Sequence, residues 1–137
     1  MIDYYKINEQ NRETVSLNGK GAKHLLLYIS DNSSEFIYGK LEEIMNAIKY
    51  KLDTDCYYVF NANGNQLSGP VVNDLSVKDI IIFDNNLQMG NFNIDFTPYI
   101  PVVLEDKRIV IVEPLSVILN DKNKKFRFWQ LLQKMFL

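Results

Sequence analysis

Short apolar blocks alternate with polar segments along this chain, and each block has the length of one buried strand. The blocks occupy residues 24–29, 56–60, 80–83 and 109–112. The last two consist mostly of β-branched residues, which favour strands. Because unbroken apolar runs are typical of strands buried on both faces, the pattern predicts a mainly parallel central sheet.

Two other stretches carry apolar residues at helical spacing. The first follows turn and cap residues at 30–34, and Gly39 leaves open a start beyond that glycine, since glycine disfavours helix. The second closes the chain, with Asn120 or Asp121 as its N-cap. Strands alternating with helices predict an α/β fold with three α/β/α layers. The apolar positions are Ile37, Leu41, Ile44, Met45, Ile48 and Leu52 in the first stretch, and Phe126, Trp129, Leu132 and Phe136, widened by Phe128, Leu131 and Met135, in the second.

The last strand is predicted to form an antiparallel hairpin at the sheet edge. Residues 100–104 and 108–112 flank a short charged turn, Glu105-Asp106-Lys107. Pro114 follows, and because it lacks the N–H that a ladder needs, the strand should stop there.

The chain as a whole indicates one α/β domain over residues 23–137. Residues 1–22 are polar and indicate an N-terminal arm or a short helix. Residues 61–65 and 87–98 have the composition of loops, and residues 71–75 favour a helical turn after a proline.

The amino-acid composition excludes several classes of protein. A chain of 137 residues fits one domain, and 47% hydrophobic with 23% charged residues is ordinary for a folded soluble protein. With neither a leader pattern nor a run of about 18 apolar residues, we expect a cytoplasmic protein without membrane contact.

One cysteine and one histidine make a metal site improbable, and no phosphate-binding glycine motif occurs, so no metal or cofactor is expected. Cys56 should be a buried thiol, and a reactive Cys56–His24 pair would need the fold to bring the two together.

Charge is distributed unevenly along the chain. Residues 1–100 have a balance of −5 and residues 101–137 a balance of +3. The positive charge of residues 101–137 is too small for a strongly basic nucleic-acid binder, so any DNA contact should be weak and sensitive to salt.

The positive charge is concentrated beside aromatic residues in the terminal helix. The candidates for partner binding are Lys124, Lys125, Arg127 and Trp129, next to Lys122. Such a cluster favours contact with an acidic partner or nucleic acid. The alternative is a surface helix whose lysine stems lie along apolar neighbours.

The chain resembles the psi subunit family of bacterial DNA polymerase III. The ending carries most of the resemblance: a small-residue turn and short helical stretch at 115–121, then lysines at 124–125, then Phe-Trp-Gln-Leu-Leu at 128–132. The strand at 80–83, the loop at 87–90 and the hairpin add to it, and the likeness covers roughly residues 24–137.

This resemblance implies a uracil-DNA glycosylase-like fold without catalysis. Glycosylases end their last strand with a His-Pro-Ser-Pro-Leu-Ser type of motif, and Pro114-Leu115-Ser116 matches its end, but Ile111 stands where the histidine would be. Asp31 lies near the place of their water-positioning aspartate. A base-excising enzyme must hold a flipped base and activate a water. Without the histidine that chemistry is not expected, and Asp31, Pro114, Leu115 and Ser116 would be vestigial.

The resemblance further implies a non-catalytic accessory protein that bridges replication proteins. Its expected partners are clamp-loader subunits, with single-strand-binding protein as a second candidate. Two alternatives stay open: a small DNA-binding, DNA-modifying or nucleotide-binding enzyme of the same fold, and an interaction module outside replication. A dry groove at the ends of strands 24–29 and 80–83 that holds Asp31 and Ser116 would favour the enzyme. An apolar patch around the last helix would favour an interaction module.

Overall fold

The computed structural model describes residues 17–60, 77–84, 97–104 and 106–137. Residues 61–65 and 71–75 and most of 87–98, for which a loop or a helical turn is predicted, lie outside the described residues. Within the described residues, no helix is both long and apolar enough to span a bilayer.

Among the described residues, five strands form one mixed sheet that is mostly parallel. Its order is β2-β1-β3-β5-β4, and only β4, at the edge, runs antiparallel to its neighbour. The register places Tyr28 beside Ile82, and Ile82 beside Ile111. The predicted parallel sheet is therefore confirmed. The strands are β1 (Leu25–Ile29), β2 (Cys56–Val59), β3 (Asp79–Phe83), β4 (Val102–Leu104) and β5 (Lys107–Val112).

The edge hairpin forms and the last strand ends as the sequence predicts, but β4 begins at Val102 rather than at residue 100, and Lys107, predicted in the turn, belongs to β5. Leu104 pairs with Lys107, so two residues connect β4 to β5. Asp106 has φ of 69°, a left-handed conformation that aspartate tolerates in short hairpin turns. β5 ends at Val112, two residues before Pro114, as the missing N–H of proline predicts.

In the part of the chain that the structure describes, four helices connect and follow the strands: α1 (Glu35–Ala47), α2 (Leu52–Asp55), α3 (Leu115–Leu119) and α4 (Lys122–Phe136). The Ser34 hydroxyl caps α1 by accepting from the Ile37 N–H at 3.1 Å. The alternative start of α1 beyond Gly39 is wrong, because this cap fixes the start at Glu35. Asp121, not Asn120, caps α4 by accepting from the N–H groups of residues 123 and 124.

The main core lies between one face of the sheet and the helices. The Phe83 and Phe128 rings meet edge-to-face at 5.5 Å between centroids, which joins β3 to α4. The opposite face is also buried, but in the described residues its apolar cluster contains no helical residue. The α/β class is therefore shown, while the third layer stays a prediction. The helical members of the main core are Ile37, Leu41, Met45, Leu52, Leu115, Ile118, Phe128, Leu131, Leu132 and Met135.

The buried face of α4 differs from the one that the spacing predicts. Phe126 is 62% exposed, and Trp129 and Phe136 are only partly buried. The buried residues are Phe128, Leu131, Leu132 and Met135. With seven apolar residues in the helix, two overlapping stripes satisfy helical spacing. Contact with the sheet selects the stripe that contains Phe128, so the prediction for Phe126 is wrong.

Residues 18–22 of the predicted N-terminal arm pack on the sheet. Asn18 and Tyr58 exchange two backbone hydrogen bonds of 2.9 Å, and Gly21 N–H donates to Cys56 O at 3.1 Å. Gly19 has φ of +86°, and a Cβ there would lie 2.1 Å from Cys56 O, so only glycine fits. These residues continue the domain along the β2 edge. Residues 1–16 lie outside the described residues.

Candidate functional site

The carboxyl ends of β1, β3 and β5 meet at one edge of the sheet. β1 lies between β2 and β3, so successive connections run in opposite directions from it, and ligands of open α/β sheets usually bind at such a switch point. Asp31, Asp84 and Glu113 follow these three strands within two residues. This edge is therefore where the fold would place a catalytic or ligand-binding site.

Asp31 joins the carboxyl end of β1 to the start of α3. Its Oδ1 accepts a hydrogen bond from the Leu115 N–H at 2.7 Å, and its Oδ2 accepts one from the Ser116 N–H at 3.2 Å. The structure thus brings together Asp31, Leu115 and Ser116, three of the four positions that the glycosylase comparison singles out, and Pro114 directly precedes the helix.

These hydrogen bonds give Asp31 a structural role. The first N–H groups of a helix have no partner within the helix. Pro114 occupies the N-cap of α3 but has no side-chain oxygen to accept from them. Asp31 supplies both oxygens from 84 residues away in sequence. The two bonds fix the orientation of the carboxylate toward the α3 backbone.

Glu113 organises a second polar cluster at the same edge. Its Oε1 accepts from the Tyr99 hydroxyl at 3.0 Å, and its Oε2 accepts from Lys124 Nζ at 2.8 Å. The Lys124 bond is the main cause that lowers the pKa of Glu113 and raises that of Lys124. Burial, followed by the bond to Glu113, raises the pKa of Tyr99. The Arg127 guanidinium lies 4.7 Å from the centre of the Tyr99 ring.

A separate apolar groove lies between α1, α3 and α4. It has a volume of about 250 Å³. Two charged residues line it together with the apolar ones, Glu43 on α1 and Lys125 on α4. We call it the α1–α3–α4 groove. Its apolar walls consist of Ile44 and Ala47, Ile118 and Leu119, and Phe128, Trp129 and Leu132.

The four candidate partner-binding residues do not share one surface. Lys125 and Trp129 line the groove. Lys124 and Arg127 instead contact Glu113 and Tyr99 at the sheet edge. Trp129 is partly buried, so part of its ring remains available to a partner.

Sequence reasoning missed the other two walls of this groove. Ile44 was expected only as a core position of α1, and nothing local marks Ala47 or Leu119 as a binding residue. The groove exists because three helices separated by up to about 80 residues leave a gap where they meet. The sequence feature that indicates an interaction surface here is the excess of large apolar residues in α4.

Cys56 is a buried thiol, as the sequence predicts. Burial raises the pKa of the Cys56 thiol to about 12, so it stays protonated near neutral pH. Its sulfur lies 3.7 Å from the Met45 sulfur. Among the described residues, no group of three or more histidine, cysteine or acidic side chains is arranged to hold a metal ion.

Comparison with known proteins leaves the function to be argued from this geometry. No protein-family model, curated protein sequence or solved structure matches the chain. The resemblance to the psi subunit family therefore stays a prediction.

Proposed function

We propose that the protein is a non-catalytic accessory protein that binds a partner protein through the α1–α3–α4 groove. We further propose that it acts in DNA replication, as a psi-like bridge on a uracil-DNA glycosylase-like scaffold. The observation that carries the binding role is the apolar groove lined by Trp129 and Lys125. The replication setting is supported by the resemblance of the chain's ending.

The size and lining of the groove favour a protein over a cofactor. An apolar cavity of about 150 Å³ is large enough for benzene, whereas pockets for drug-sized molecules usually measure about 300–1,000 Å³. At about 250 Å³, the groove fits one or two apolar side chains of another protein. Trp129 adds a residue type that often dominates binding energy at interfaces.

The sheet edge supports a role without catalysis. The oxygens of Asp31 accept from the α3 backbone, and Ile111 replaces the histidine that base excision would use. The Ile111 carbonyl accepts from the Tyr99 N–H at 2.8 Å and continues the backbone packing of this edge. These contacts favour a non-catalytic scaffold over the enzyme alternative.

The proposed partners are clamp-loader subunits, with single-strand-binding protein second. An affinity pull-down from native cell extract tests this with the full chain, with Ala47→Arg and with Asn46→Arg. Ala47 is exposed and lines the groove, so arginine there should block it without disturbing the core. Asn46 is exposed on the same helix and does not line the groove, which makes it the matched control.

We expect the wild-type chain and Asn46→Arg to retain replication proteins and Ala47→Arg to lose them, with circular dichroism showing that all three fold. Retention of unrelated metabolic proteins alone by the folded wild type would overturn the replication setting. Equal retention of replication proteins by Ala47→Arg would overturn the groove as the binding surface.

A further inference from the structure

We infer that the α1–α3–α4 groove receives an amphipathic helix of the partner, oriented so that a carboxylate of that helix meets Lys125. The inference rests on the proposed function only for the premise that a protein occupies the groove. It does not depend on whether that protein belongs to replication.

The walls of the groove favour a helical occupant. All three walls are helices, and the backbone groups within a helix are already bonded to one another. An extended segment laid here would find no strand edge to complete its hydrogen bonds. A helix satisfies its own backbone and needs from the groove only contact with its apolar face.

The spacing of apolar residues in such a helix follows from the need to face a single groove. Ile44 on α1 and Trp129 on α4 line the same groove, so the side chains that contact them must lie on one face of the partner helix. Apolar residues at positions i, i+3 or i+4, and i+7 of a helix project in this way. The volume of about 250 Å³ limits deep insertion to one or two of them.

Charge fixes the orientation of the helix. Lys125 is exposed, and within the described residues no carboxylate forms an ion pair with it. Glu43, on the facing wall, forms a loose pair with Lys40 at 3.7 Å and is 72% exposed at its side chain. An occupant with an acid on the Lys125 side and a base on the Glu43 side would complement both walls.

The same charges disfavour two other occupants. In a second copy of this chain, α4 contains five basic residues and no acidic one, so packing α4 against α4 would oppose like charges. A nucleic acid would bring phosphates to a mostly apolar groove whose single lysine faces Glu43. A partner helix with a carboxylate avoids both conflicts.

Selection of peptides by the full chain tests the inference. The probe is a phage-displayed library of 18-residue peptides without tryptophan, because Trp129 is the only tryptophan of the protein and then reports occupancy of the groove. We expect the selected peptides to combine helical apolar spacing with an aspartate or glutamate at one flank. A synthetic copy of the strongest binder should move Trp129 emission to shorter wavelength. Its Kd should weaken at least about tenfold with Ala47→Arg and stay unchanged with Asn46→Arg.

A charge exchange tests the orientation. Lys125→Glu should weaken the acidic peptide about tenfold, and replacing the peptide's flanking acid by lysine should restore binding. Lys134→Glu is the matched control, since Lys134 is exposed on the same helix but does not line the groove. It should leave both affinities unchanged.

Several results would overturn the inference. These are equal binding to Ala47→Arg, equal effects of Lys125→Glu and Lys134→Glu, or undiminished binding of a peptide with proline at its centre. Displacement of the peptide by oligothymidine would instead favour nucleic acid, and a blue shift of Trp129 that grows with protein concentration alone would favour a second copy. Peptide binding without replication proteins in the pull-down would refute only the replication setting, and the reverse result would refute only the helix.

Discussion

The sheet edge at Asp31 and the α1–α3–α4 groove present their functional groups in opposite ways. At the edge, Asp31 accepts from two backbone N–H groups and Glu113 accepts from Tyr99 and Lys124. In the groove, Lys125 has no ion-pair partner among the described residues, and part of Trp129 remains exposed. The edge is internally satisfied, whereas the groove still has unused contact surface.

This difference shows that the position of a carboxylate does not define its chemistry. Asp31 lies where ligands of open α/β sheets usually bind. Its hydrogen bonds go instead to a short helix whose N-cap is a proline. Both oxygens of Asp31 therefore satisfy backbone N–H groups that the helix itself leaves without an acceptor.

Helix α4 contributes to both regions. Lys124 reaches the edge, Trp129 lines the groove, and Phe128 packs against the sheet beneath. Changes in α4 can therefore separate stability from binding, provided that they are chosen by the direction in which each residue projects.

The largest loss of stability is expected from removing the end of α4. Truncation after Lys125 deletes Phe128, Leu131, Leu132 and Met135, and each buried side chain contributes about 1.5–3 kcal/mol. Total stability is about 5–15 kcal/mol, so the truncated chain should lose cooperative unfolding in a thermal melt. A sharp transition near the wild-type temperature would show that α4 is dispensable for the core.

Single substitutions on the two faces of α4 should have smaller and unequal effects on stability. Phe128→Ala should lower the free energy of unfolding by about 3–5 kcal/mol, because it empties a buried site against Phe83. Phe126→Ala should change it by less than about 0.5 kcal/mol, since that ring is mostly exposed. Denaturant unfolding of both variants measures this, and similar losses would contradict the assigned faces.

Asp31→Ala tests the internally satisfied edge. It removes the acceptor of the Leu115 and Ser116 N–H groups at the start of α3 and should lower the free energy of unfolding by about 0.5–2 kcal/mol, the usual cost of losing an N-cap. Neither this variant nor the wild type should release uracil from DNA at any salt concentration. Measurable wild-type excision that Asp31→Ala abolishes would make the edge an active site.

The smallest effect on stability is expected from replacing Glu113, and this effect depends on pH. The folded protein lowers the pKa of Glu113 below 4.5, so its contribution to stability is present above that value and is lost as pH falls through the lowered pKa. Glu113→Gln should therefore melt slightly below wild type at neutral pH, and the gap should close as pH falls through the lowered pKa of Glu113. A gap that persists in acid would assign the loss to packing around Tyr99 instead.

Local pattern determined most of the secondary structure. The apolar runs at 80–83 and 109–112 became adjacent parallel strands, because β-branched residues without polar interruption suit a sheet buried on both faces. Ser34 and Asp121 capped their helices, because a side-chain oxygen at that position reaches free N–H groups. β5 ends before Pro114, because proline has no N–H with which to continue the ladder.

Tertiary structure decided the direction of side chains and the long-range contacts. Spacing alone could not choose between Phe126 and Phe128 as the buried ring, because both stripes are helical and only contact with Phe83 distinguishes them. Asp31 and Leu115 are 84 residues apart, so no local pattern could pair them. The groove likewise depends on how three helices meet, and that geometry follows from packing in three dimensions rather than from the sequence of any one helix.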